Sequence, residues 1–73
     1  MSRLIRLDRT GHTELAEWSA DGAGLEQARA TFVAELGHGY FAVATGPDGT
    51  AEQVRELPLD AELVVLRRPI AGG

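Results

Sequence analysis

Few side chains of this 73-residue chain could do chemistry, and their spacing does not bring them together. Cysteine is absent, which excludes a thiolate nucleophile and a cysteine-based metal site. His12 and His38 fall in separate predicted turns with no third ligand beside either, which favours surface histidines over a metal site. Two pairs of glutamates stand close together along the chain: Glu14 with Glu17, and Glu52 with Glu56. Without a nucleophile or a predicted pocket beside them, these pairs indicate solvated faces, and we expect a protein that is not an enzyme and uses no cofactor or metal.

Charge and hydropathy exclude two further classes. The net charge of −4 argues against a nucleic-acid-binding protein, since neutralising phosphates requires clustered cations. No apolar run approaches the ~20 residues of a membrane span, and the first residues lack the apolar core of a signal peptide. The sequence therefore predicts one cytoplasmic domain that spans residues 1–73 and binds neither nucleic acid nor membrane.

The C-terminal end of the chain has an unusual order of residues. Residues 63–66 are an unbroken, branched apolar run, which predicts a strand buried on both faces and hence central in a sheet. Arg67 and Arg68 are expected to be exposed to solvent. Pro69 has no backbone N–H to donate to a neighbouring strand, so strand pairing is expected to stop at Pro69. Residues 70–73 are then expected to form a flexible C-terminal tail, with no bulky side chain near its carboxylate.

The N-terminal part of the chain reads as a β-hairpin. Residues 3–9 alternate in polarity, with Ile5 and Leu7 predicted to face inward. Gly11 supplies a turn, and residues 13–18 form the return strand. Trp18 is interpreted as a core anchor in preference to a hot spot for a partner.

From about residue 23 the apolar period becomes helical. The predicted buried stripe has four members at steps of three and four: Leu25, Ala28, Phe32 and Leu36. Val33 is expected to widen this stripe, whereas Glu35 is expected to lie outside it. Asp21 is the candidate N-terminal cap, and Gly37 or Gly39 is expected to end the helix in a left-handed conformation.

The remaining residues predict further strands. Residues 40–45 read as a strand, and residues 46–49 form a turn in which Asp48-Gly49 supplies the left-handed end. Residues 51–57 fit either a return strand or a helical turn; the strand is favoured because a hairpin turn precedes it. The order of elements predicts an α+β fold with one helix on one face of a mixed, four- to five-stranded sheet, in which the first and last strands pair in parallel.

This order of elements resembles the β-grasp, or ubiquitin-like, fold. The more specific resemblance lies in residues 63–73, which are similar to the closing strand and tail of the bacterial sulfur carriers of thiamine synthesis and of the small subunit of molybdopterin synthase. The strand, paired arginines and diglycine also resemble ubiquitin. In those families an ATP-dependent activating enzyme adenylates the C-terminal glycine, which then becomes a thiocarboxylate or a thioester and passes to a downstream acceptor.

The resemblance implies a role for each residue of the tail. Gly73 would be the activated residue and Gly72 its slim neighbour, since a Cβ at either would clash in a narrow channel. Ile70 and Ala71 would be gripped by the partner, and the forked guanidinium groups of residues 67 and 68 would pair with its acidic groove. The alternative is that the two arginines only keep the strand end solvated, and that the domain is a non-conjugated interaction or structural module.

Overall fold

One helix and five strands build the described part of the chain, which in this computed structural model comprises residues 1–8, 11–46 and 48–68. The elements in chain order are β1 (Ser2–Asp8), β2 (Gly11–Trp18), α1 (Leu25–Gly37), β3 (Phe41–Thr45), β4 (Ala51–Val54) and β5 (Leu63–Arg67). The expected α+β class is confirmed, and the strand interpretation of residues 51–57 is confirmed for β4.

The five strands form one mixed sheet in the order β2-β1-β5-β3-β4. β5 pairs in parallel with β1 and antiparallel with β3, so the last strand is central, as the apolar run predicted. The two hairpins, β1–β2 and β3–β4, are antiparallel and supply the sheet's outer strands. The chain therefore leaves the middle of the sheet as β5 ends.

The helix covers only one face of this sheet, which corrects two expectations. In β5, Val64 and Leu66 are fully buried, but Leu63 and Val65 are only half-buried, so burial of the strand on both faces is wrong. In β1 the predicted inward face is also wrong: Leu4 is fully buried, whereas Leu7 is 37% exposed. Residues alternate between faces of a strand, so a chain with one helix can bury only every second side chain of its central strands.

The ends of α1 depend on glycine. Gly24 precedes the helix with φ of 84°, and no side chain caps the first turn, so the prediction of Asp21 as the cap is wrong. The Asp21 carboxylate instead accepts the backbone N–H of Ala23 at 3.0 Å and the Ser19 hydroxyl, which closes the turn before the helix. At the other end Gly39 has φ of 95°, the left-handed conformation expected there.

The face of α1 that packs on the sheet is close to the predicted stripe. Ala28 and Phe32 are buried, and the two other stripe residues pack against them. Trp18 is fully buried, and its Nε1–H donates to the carbonyl of Leu59 at 3.0 Å, which confirms it as a core anchor. Val33 does not widen the stripe, since it is 65% exposed.

Candidate functional site

The predicted site residues divide at the end of β5. Arg67 is the last residue of β5, opposite Phe41 of β3, and Arg68 follows it; both arginines are exposed. Ile70, Ala71, Gly72 and Gly73 lie outside the described residues. The surroundings of the two arginines define the described part of the candidate site.

Tyr40 lies beside the point where the chain leaves β5. Its ring centroid is 5.1 Å from the guanidinium carbon of Arg68 and 6.0 Å from that of Arg6. A guanidinium at this range from an aromatic face gains about 0.5–1 kcal/mol at an exposed position. Tyr40 is half-buried and immediately precedes β3, so it gives Arg68 a contact on the rigid sheet.

Arg6 links this aromatic side chain to the helix. It lies opposite Leu66 on the helix side of the sheet, where its Nη1–H donates to the Glu35 Oε1 at 2.9 Å. Glu35 is 9% exposed, so this acidic residue occupies a buried position of α1 at which an apolar residue would be expected. The expectation that Glu35 lies outside the stripe is wrong; its helical spacing from Phe32 was the signal, and the guanidinium supplied by β1 is what allows a carboxylate there.

The Arg6–Glu35 pair keeps unused hydrogen-bonding capacity. The Nε of Arg6 and the Oε2 of Glu35 are buried and have no hydrogen-bond partner among the described residues. The Nδ1 of His38, an exposed side chain, is 3.9 Å from that Oε2. The pair is therefore a single hydrogen bond rather than a bidentate one, and it ties the last turns of α1 to the strand beside β5.

The sheet face that α1 leaves uncovered is apolar at its centre. The centre of this open face includes Ile5, Val43, Leu63 and Val65, all half-buried. Ile5, Val65 and Val43 stand opposite one another across three adjacent strands, so they form one continuous row. Apolar patches of this kind commonly mark surfaces that contact another protein. Sequence reasoning missed this surface because it counted residues 63–66 as buried on both faces.

A β-bulge places two acids at the edge of the open face. Leu4 pairs with Ala16 but Ile5 pairs with Glu14, so one extra residue is inserted in β2 and Glu14 joins Glu17 on one face. The Nε of Arg3 is 3.8 Å from the Glu14 Oε1. A hydrogen bond with Glu17, aided by the charge of that group, raises the pKa of Glu14. Both acids are exposed, with no nucleophile described beside them, so the geometry favours a charged rim over an acid–base pair.

The histidines do not assemble a metal site in the described structure. His12 lies in β2 and His38 follows α1, and both are exposed. Within residues 1–8, 11–46 and 48–68, no group of three histidine or acidic residues could hold a metal ion. No helix in the same ranges is long and apolar enough to cross a bilayer.

The chain was compared with protein-family models, with curated proteins and with solved structures, and nothing among them matches it.

Proposed function

We propose that this chain is a β-grasp carrier protein whose C-terminal glycine is activated by a separate ATP-dependent enzyme in the cytoplasm. The observation that carries the proposal is the position of β5. A strand held between a parallel β1 and an antiparallel β3 leads directly into Arg67, Arg68 and a sequence that ends in Gly72-Gly73. The proposal takes Gly73 as the terminal residue of the acting protein.

The proposed chemistry is acyl transfer in which this chain is the acyl group. The Gly73 carboxylate attacks the α-phosphorus of ATP, forming an acyl adenylate and releasing pyrophosphate. A thiol of the partner system then attacks the carbonyl carbon and expels AMP, which gives a thioester. If sulfide attacks the adenylate instead, AMP again leaves and the product is the thiocarboxylate. Apart from the Gly73 carboxylate itself, the chain is proposed to contribute no base and no nucleophile to either step.

The described residues support this role by fixing the root of the tail. Central pairing of β5 and the contact of Arg68 with Tyr40 restrict where the tail begins, which lowers the entropy lost when a partner binds it. The guanidinium groups of Arg67 and Arg68 can each donate two parallel hydrogen bonds to a partner carboxylate. The open face supplies an apolar surface on which the activating enzyme can rest.

The test is chemical. The protein ending at Gly73 is incubated with ATP, a sulfide source and candidate activating enzymes, and its intact mass is measured. We expect an adenylate, and then a mass increase equal to the exchange of one oxygen for one sulfur. Deleting Gly73, or adding one alanine after it, should abolish both species, whereas the exposed-site variant Thr13→Ser should leave them unchanged. Absence of modification with every activating enzyme tried would refute the carrier proposal.

The second candidate is a non-conjugated interaction module, and the open face is the observation that favours it. A row of half-buried Ile5, Val65 and Val43 can bind a partner without any covalent step. A stable complex that survives deletion of Gly73 but is lost in Val65→Asp would support the module. Loss of the complex on deleting Gly73 would favour the carrier.

A further inference from the structure

A crevice lies on the helix side of the sheet, between α1 and the segment that follows β4. Its volume is about 370 Å³. Its lining consists of six residues: Arg29, Phe32, Val33, Arg55, Glu56 and Leu57. The floor is apolar, since Phe32 is 1% exposed and Leu57 is 5% exposed, and Val33 forms an exposed apolar wall. The crevice is therefore large enough to hold one or two apolar side chains of another molecule beside the helix.

The crevice is lined by two arginines that have no ion-pair partner among the described residues. Arg29 and Arg55 are both exposed, and within residues 1–8, 11–46 and 48–68 neither forms an ion pair, whereas Arg3 and Arg6 each face a glutamate. The chain as a whole carries a net charge of −4, and Glu56 is the acid of the crevice lining. The lining therefore has two guanidinium groups without an ion-pair partner in the described structure against one carboxylate, and this excess of positive charge favours an anionic occupant.

The backbone beside the crevice is also available for pairing. β4 is an outer strand of the sheet, and residues 55–57 follow it directly. Among the described residues, the backbone groups of 55–57 make no hydrogen bond. An extended chain running along this edge can therefore gain main-chain hydrogen bonds in addition to side-chain contacts.

We propose that this crevice binds an extended acidic segment of a partner protein. One apolar side chain of the segment packs on Phe32, Val33 and Leu57, and flanking carboxylates pair with Arg29 and Arg55. Main-chain groups of the segment bond to residues 55–57. The lining contains no residue of β5 or of the open face, and the proposed binding does not depend on activation of Gly73.

A displayed library of random twelve-residue peptides tests this inference with the intact protein as bait. We expect enriched peptides to carry aspartate or glutamate on both sides of one apolar residue. Binding of a selected peptide should weaken about threefold to fivefold in Arg29→Glu or Arg55→Glu, in line with partly exposed charge pairs. Replacing the peptide's acids by lysine should restore binding to the double variant. The matched control Arg3→Glu, which reverses an exposed charge on the other face, should leave affinity unchanged.

Changes in the amide chemical shifts of the protein on adding the peptide show where the peptide binds. Perturbations centred on residues 29–33 and 55–57 would support the inference. Perturbations centred on the open face, enrichment of peptides without acids, or equal affinity for the double variant and the wild type would overturn it. Concentration-dependent shifts of the same amides without peptide would assign the crevice to a second copy of the chain and would also overturn it.

Discussion

Gly24 is the position at which a single methyl group should cost this fold most. It precedes α1 with φ of 84°, and a Cβ built on it would lie 2.6 Å from the carbonyl oxygen of Glu17 and 3.5 Å from the Cα of Trp18. Both neighbours are backbone atoms of β2, so no side-chain rotation relieves the contact. Gly24→Ala must therefore move the start of the helix away from the strand that carries the buried tryptophan.

Gly22 provides the matched control, because it isolates the conformational part of the cost. Its φ is 96°, and nothing lies within 4 Å of its hypothetical Cβ. A left-handed backbone costs a residue with a Cβ about 1–2 kcal/mol, and this should be the whole effect of Gly22→Ala. Gly24→Ala adds a clash with the backbone of β2, and forcing extra atoms into a packed site has a further cost. The total loss of unfolding free energy for Gly24→Ala should therefore be about 2–4 kcal/mol.

The free energy of unfolding can be measured in urea from the fluorescence of Trp18, the chain's single tryptophan. A chain of this size has about 4–11 kcal/mol of stability, so Gly24→Ala should lower the midpoint markedly without changing the denaturant slope. Equal losses for the two variants would refute the reasoning, since they would mean that helix and β2 separate freely at this point.

Three further predictions concern charged groups. Glu35→Ala should destabilise the protein by about 1–2 kcal/mol, a value reduced because Arg6 is partly exposed, and pairing it with Arg6→Met should recover most of the loss in urea unfolding. Glu17→Gln should lower the pKa of Glu14 towards its ordinary value of 4.5, as followed by carboxyl NMR; an unchanged titration would show that the two acids are not coupled. The Thr50 hydroxyl and N–H donate to Asp48 at 2.7 and 3.2 Å and hold its pKa below the ordinary 3.8. The wild-type protein should therefore be more stable than Asp48→Asn at pH values above 3.8, and this advantage should disappear as the pH falls through the lowered pKa of Asp48. A difference in unfolding free energy between the two proteins that persists in acid would contradict this account.

Local patterns were enough to predict most of the elements. Steps of three and four predicted the stripe of α1, and the two glycines at residues 37 and 39 predicted a left-handed end, which the structure assigns to Gly39. The central place of β5 followed from the apolar run of residues 63–66, which an edge strand would expose to water. These inferences needed only the period of the sequence and the conformational range of single residues.

Some features could not be predicted because the residues that determine them lie far apart in the sequence. Glu35 is buried because Arg6 reaches it from β1, and no local pattern of α1 contains that arginine. The placement of Glu14 and Glu17 on one face depends on a bulge opposite Leu4 and Ile5, which is a property of the strand pair. Val33 is exposed because it lines the crevice between α1 and residues 55–57.

The single helix also explains why so small a domain leaves apolar surface partly exposed. α1 has 13 residues and is about 20 Å long, so it can cover one face of a five-stranded sheet and no more. The apolar side chains of the central strands that point the other way must remain half-buried unless another molecule covers them. The crevice between α1 and residues 55–57 also leaves Val33 exposed beside Arg29 and Arg55. The open face and the crevice are thus two separate surfaces, and a variant such as Arg55→Glu should affect peptide binding at the crevice while leaving the open face intact.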